Sequence, residues 1–182
     1  DVKLGGEMRI VTILFSDIRD FTSMCEGRVP ESILELLNHY LTEVTSAIEA
    51  HKGVVDKYIG DAVMALFGAP VGSVNDVSNA LNAALAMTVK VDRMSEINRA
   101  SGNPVMKTGI GLHTGNVVAG NLGSTNRMNY TVIGDAVNLA ARLESLTKQY
   151  DVSIMVSEET KNQGPGFHYR ELDMVRVKGK EM

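Results

Sequence analysis

The apolar residues of this chain follow two periods in turn. Met8 to Phe15 is a β-branched, apolar run, the pattern of a strand central in a sheet. From Ser32 to Ala50 the spacing changes. Ile33, Leu36, Leu37, Tyr40, Leu41, Val44 and Ile48 recur at helical intervals, with Pro30 ahead and Gly53 behind as start and stop. Gly53 to Ile59 and Ala62 to Phe67 predict two strands joined by a tight turn at Gly60-Asp61, and Ala69-Pro70 ends the second. Asn75 to Asn98 returns to helical spacing, with Val77, Leu81, Ala84, Leu85, Met87, Val89, Val91 and Met94 expected on or near its buried face. After the loop at Ser101 to Pro104, Val105 to Leu112 and Asn116 to Ala119 read as strands around His113-Thr114-Gly115. Met128 to Ile133 predicts a strand and Asp135 to Tyr150 a third long helix. Val152 to Val156, His168 to Leu172 and Met174 to Val177 predict short late strands.

This order predicts an α+β fold. A ferredoxin-like βαββαβ core carries additional C-terminal strands and a helix, with helices over one face of a mainly antiparallel sheet. At 182 residues the chain reads as one domain, 1–182. It starts at Asp1 and stops inside a strand-like segment, Val175 to Met182, so we expect a domain excised from a larger protein that also carries regulatory domains. A net charge of −4 lacks the basic footprint of a nucleic-acid binder. The single Cys25 has no partner in the chain, which favours a reducing, cytoplasmic setting. The apolar runs are too short to span a bilayer, so no membrane contact by this domain is expected.

Two aspartates change the picture. Asp17 closes the run Ile13-Leu14-Phe15-Ser16, and Asp61 sits in the turn after Lys57-Tyr58-Ile59-Gly60. A carboxylate at a strand end is held rigidly and half desolvated. Mg²⁺ is typically bound by one or two such groups plus substrate phosphates. The competing reading is a helix cap or turn residue, where aspartate is also favoured. Asp20-Phe21-Thr22 reads as a helix start whose N–H groups suit phosphate oxygens. Ile-Gly-Asp-Ala-Val occurs at 59–63 and again at 133–137. The first copy runs into a strand and the second into a helix, so Asp61 and Asp135 are expected to differ in role, Asp135 as an N-cap. Gly109 to Gly115 misses the dinucleotide-binding spacing, no Walker A motif occurs, and the four histidines show no zinc spacing.

Phe15 to Thr22, Lys57 to Asp61, Asn129 to Glu144 and Val177 to Lys180 together resemble, in order and spacing, the class III nucleotidyl cyclases, most closely the bacterial class IIIb adenylyl cyclases. The resemblance covers essentially the whole chain. It implies that ATP is converted to 3′,5′-cyclic AMP and pyrophosphate in signal transduction. Asp17, Asp61 and the Ile18 carbonyl are implied ligands of two divalent cations, Mg²⁺ or Mn²⁺. Phe21, Thr22 and Lys178 are implied to meet phosphates. Lys57, Thr131 and Val132 are implied to bind the base, and Lys57/Thr131 point to adenine, because guanylyl cyclases resemble a Glu/Cys pair there. Asn138 and Arg142, four apart on a helix, are implied to orient the ribose and to stabilise the transition state. A homodimer with two composite sites is implied, since this chain holds both halves of one. One departure concerns Gly109, where mammalian membrane cyclases carry a phosphate-binding arginine; Lys107 is near but out of register. The alternatives are a guanylyl cyclase and a non-catalytic nucleotide-binding regulatory module.

Overall fold

The computed structural model describes residues 5–124 and 127–173. Strand β1 (Gly5–Ile18) extends past the apolar run at both ends, which carries Asp17 into the last pairing positions. A short helix α1 (Phe21–Cys25) follows, then α2 (Pro30–Ala50), with Pro30 at its first turn, where no amide hydrogen is needed. Strands β2 (Val54–Ile59) and β3 (Ala62–Phe67) form a hairpin through Gly60-Asp61, and Gly60 takes φ 64°, a conformation glycine adopts without strain. Helix α3 (Asp76–Ala100), strands β4 (Thr108–Ser124) and β5 (Arg127–Ile133), and helix α4 (Asp135–Gln149) complete the main body. The βαββαβ order is as the sequence predicts.

Strand order is β2-β3-β1-β4-β5, all antiparallel, with β6 (Ile154–Val156) parallel to β4. Two local expectations are corrected. The segments around His113-Thr114-Gly115 form one strand, not two. Val11, Thr12 and Ile13 of β1 pair with Gly115, Thr114 and His113, so the backbone there is already satisfied and does not turn. His168 to Leu172 forms no strand; Tyr169 donates its hydroxyl to the Gly164 carbonyl (2.7 Å) instead. Met174 to Val177 and Lys178 lie outside the described residues. A short helix, α5 (Glu158–Gln163), is capped by Ser157, whose Oγ accepts from the Thr160 amide. Six residues are too few for the helical period to show in sequence.

The helices cover both faces rather than one. Leu14, Val63, Ala65, Phe67, Ile110 and Leu112 pack under α2 and α3 with Tyr40, Val44, Ile48, Ala84 and Met87. The alternate residues Val11, Ile13, Met64, Leu66, Val117 and Ala119 form a second core with Val132 of β5 and with Ala136 and Ala140 of α4. Small residues on β4 admit α4 so closely. A Cβ on Gly111 would stand 2.2 Å from the Glu144 amide nitrogen and 2.6 Å from the Ala140 carbonyl oxygen. Gly111→Ala is therefore expected to lift α4 and to cost about 1–3 kcal/mol of stability, read as a lowered Tm together with lost activity. Among the described residues no helix is long and apolar enough to cross a membrane.

Candidate active site

Asp17 and Asp61 meet where β1 and β3 end side by side. Ser16 pairs with Val63, so Asp17 on one strand and the turn residue Asp61 on the other emerge at the same edge. The Ile18 amide donates to Asp61 Oδ2 (3.3 Å), beside the Asp17 carboxyl group. Burial raises the Asp17 pKa first; the adjacent Asp61 carboxyl group and the charge of Glu144 add to it, bringing it to about 7. Glu144, on α4, is itself raised, chiefly by burial. Asp17 Oδ1 is buried and has no hydrogen-bond partner among the described residues. An orphaned carboxylate oxygen beside a second carboxylate fits a divalent cation, which supplies the charge this crowded acid pair lacks. No group of three or more His, Cys, Asp or Glu side chains among the described residues forms a protein-only cage. The floor of the site is rigid. Thr108 Oγ1 donates to the Asp17 carbonyl (3.0 Å) and is also 3.0 Å from the buried Tyr40 hydroxyl, whose pKa burial raises to about 12.

Lys57 and Thr131 come from strands at opposite ends of the sheet order, yet a single side chain joins them. Val55 pairs with Ala65 and Lys57 with Met64, so Asp56 is the extra residue of a β-bulge. Thr131 Oγ1 donates to Asp56 Oδ2 over 3.0 Å, and Lys57 Nζ lies 3.2 Å from the same oxygen. The sheet thus curls far enough for β2 and β5 to touch through side chains, with the second core inside the curl. The Asp56 side chain is 1% exposed, whereas Lys57 is 48% exposed and free to reach a ligand. Val132 is buried beside Thr131. The sequence reading assigned nothing to Asp56. Its signal was a broken alternation, two valines followed by two charged residues.

Asn138 and Arg142 share a face of α4, Asn138 exposed and Arg142 half-buried. Asp135 is not the N-cap. Gly134 takes that place and Asp135 opens the helix, where a carboxylate favours the positive end of the dipole. The two copies of the repeated pentapeptide thus run into different elements, a strand and a helix, as the sequence predicts. Phe21 and Thr22 open α1, where the first amide groups have no partner within the helix. Asp20, ahead of them, makes no side-chain cap and instead meets Lys148 at 2.5 Å. Gly109 faces α4, and a Cβ there would stand 2.3 Å from Thr147 Oγ1 and 2.9 Å from Glu144 Oε1, so a larger residue there would have to displace those two side chains. Surface hollows of about 430 Å³ beside Arg9 and Gly68 and about 240 Å³ beside Arg19 and Asp92 are lined by none of Asp17, Asp61, Lys57, Thr131, Asn138 and Arg142, although Thr108 borders the second.

Comparison with known proteins places this geometry in context. The family model described as "Adenylate and Guanylate cyclase catalytic domain" matches residues 6–182. An adenylate cyclase of Anabaena cylindrica is 42% identical over 190 residues, covering 100% of this chain and 37% of that protein. The chain spans well under half the length of the curated relatives it matches. Among solved structures, the guanylyl cyclase Cya2 superposes with a TM-score of 0.90 at 35% identity, covering 98% of this chain and 90% of that one. The adenylyl cyclase CyaB from P. aeruginosa gives 0.81 at 35% identity, covering 88% and 82%.

Proposed function

The chain belongs to the adenylate and guanylate cyclase catalytic-domain family, and from that premise we propose that it converts ATP to 3′,5′-cyclic AMP and pyrophosphate as a homodimer with two composite sites. The observation that carries the reading is the acid pair, two carboxyl groups at adjacent strand ends with one buried oxygen unpartnered. Families of this kind use divalent metal ions. Here Asp17, Asp61 and the Ile18 carbonyl are the residues to hold two of them. Bound there, they would supply charge that favours ionisation of the ribose 3′-hydroxyl and departure of the pyrophosphate.

The chain's own residues do the rest. The amide groups of Phe21 and Thr22 offer donors to the phosphates. Asn138 orients the ribose so that its 3′-oxygen stands in line with the α-phosphorus. Arg142 donates to the α-phosphate oxygens as charge builds on them. Lys178 is assigned to the terminal phosphates. In a composite site the acid pair of one protomer faces Lys57, Thr131, Asn138 and Arg142 of its partner. A two-fold, self-complementary contact permits that arrangement twice per dimer.

The base is chosen by hydrogen bonding rather than by the fold, because a guanylyl cyclase superposes as well as an adenylyl cyclase does. Lys57 donates to a ring-nitrogen acceptor, and Thr131 accepts from the exocyclic amine of adenine; guanine presents a carbonyl at that position. Lys57→Glu with Thr131→Cys is expected to shift the ATP:GTP ratio of kcat/KM toward GTP by tenfold or more, about 1.4 kcal/mol. No shift would mean that other residues read the base. The overall test is product analysis of the purified chain with Mn²⁺ and either ATP or GTP. Cyclic AMP as the main product is expected. Cyclic GMP in excess overturns the base assignment, and no product from either nucleotide overturns the enzyme in favour of a regulatory module.

A further inference from the structure

We propose that Asp56 is a specificity-determining positioning residue, which commits the hydroxyl proton of Thr131 so that only a donor on the base can satisfy it. This rests on the reading above, in which Lys57 and Thr131 face the purine. A threonine hydroxyl has one proton and two lone pairs, and it rotates to suit its surroundings. Left to itself it would offer its proton to the carbonyl of guanine as readily as its lone pair to the amine of adenine. Thr131 alone therefore does not select a base.

Asp56 removes that freedom. An ionised carboxylate only accepts. Its Oδ2 accepts a hydrogen bond from Thr131 Oγ1 at 3.0 Å, beside the Lys57 ammonium group. The Asp56 side chain is 1% exposed, so bulk water does not compete for that oxygen. What Thr131 has left is a lone pair. The exocyclic amine of adenine satisfies it, whereas the carbonyl of guanine would set acceptor against acceptor and leave both unpaired. The same oxygen lies 3.2 Å from Lys57 Nζ, which places the ammonium group beside the hydroxyl with further N–H groups to spare for a ring nitrogen. One carboxylate oxygen thus orients both base-facing groups. The bulge between Val55 and Lys57 is the device that brings Asp56 there, an extra residue in a strand that would otherwise present one charged group.

The test compares kcat/KM for ATP and GTP in the wild type, Asp56→Asn, Thr131→Val and the double variant. The asparagine amide donates to Thr131 and turns its proton outward. Asp56→Asn is therefore expected to lower the ATP:GTP ratio roughly 10- to 100-fold, with GTP turnover rising as ATP turnover falls. On the Thr131→Val background the same change should leave the ratio where it stands. If Thr131→Val alters the ratio and Asp56→Asn does not, or if Asp56→Asn depresses both nucleotides equally, the positioning role is wrong while the base assignment survives. If Thr131→Val leaves the ratio untouched, the base assignment fails and this inference with it. A wild-type crystal structure with a non-hydrolysable ATP analogue gives a check that needs no variant. Thr131 Oγ1 should stand within hydrogen-bond distance of both the Asp56 carboxylate and the adenine amine, and a hydroxyl that has left Asp56 would overturn the proposal even if every Asp56 variant failed to fold.

Discussion

Asp17→Asn and Asp61→Asn are each expected to lower cyclic nucleotide formation by about 10³-fold or more, with no fall in Tm measured without added metal. Each substitution keeps the shape of the side chain and removes its charge. Metal-borne stabilisation of the transition state is worth several kcal/mol, and every 1.36 kcal/mol is about tenfold in rate. The fold, by contrast, has little to lose. The two carboxyl groups crowd each other, and burial already holds Asp17 toward its neutral form. Asparagine in place of Asp17 removes a repulsion, so stability without metal should hold or rise. This pairing of outcomes separates a metal site from a merely structural hydrogen bond. If both variants kept wild-type turnover, the acid pair would not be the metal centre. If activity and Tm fell together, the loss would trace to unfolding.

Arg142→Ala is expected to reduce kcat by about 10²–10³-fold, or 3–4 kcal/mol, the cost of removing one donor from charge that develops in the transition state. KM should change much less, because the ground-state phosphate makes that contact weakly. A KM increase with kcat intact would instead assign Arg142 to ordinary substrate binding. The same variant tests the composite site. Arg142→Ala supplies an intact acid pair, and Asp17→Asn supplies an intact arginine. Mixed in equal amounts and allowed to exchange, about half the dimers contain one of each, and each of those has one complete site of two. Recovery of about a quarter of wild-type activity is therefore expected from two nearly inactive proteins. A mixture no more active than its components would mean that all the groups act within one protomer.

Both experiments depend on where α4 sits, and that was hard to read in advance. The helical period from Asp135 onward shows that a helix exists. It does not show which side of the sheet the helix covers. Gly109 and Gly111 could have been recognised as small residues on a strand. Only the packed structure reveals that they form the seat on which Ala140 and Glu144 rest. The same holds for β4. His113-Thr114-Gly115 carries local turn chemistry, and fourteen consecutive pairings with β1 from Gly5 to Ile18 override it. Asp135 shows the weakness of a cap rule applied without coordinates, since Gly134 one residue earlier takes the cap position.

The candidate site divides along the same line. The residue types at Asp17, Asp61, Lys57, Thr131, Asn138 and Arg142 could be named from ordered motifs, because their chemistry is a property of the side chain and their order a property of the chain. The βαββαβ order followed from the hydrophobic periods alone, since a period records which residues must leave water. What distances along the chain do not contain is closure. Asp56 lies seventy-five residues from Thr131, on the far edge of the strand order, and their 3.0 Å hydrogen bond exists only because the sheet coils and a bulge re-aims one residue. Periodicity arises from local geometry and could be read directly. Contact between two edge strands arises from the accumulated twist of all the strands between them, and that sum is made only when the chain folds.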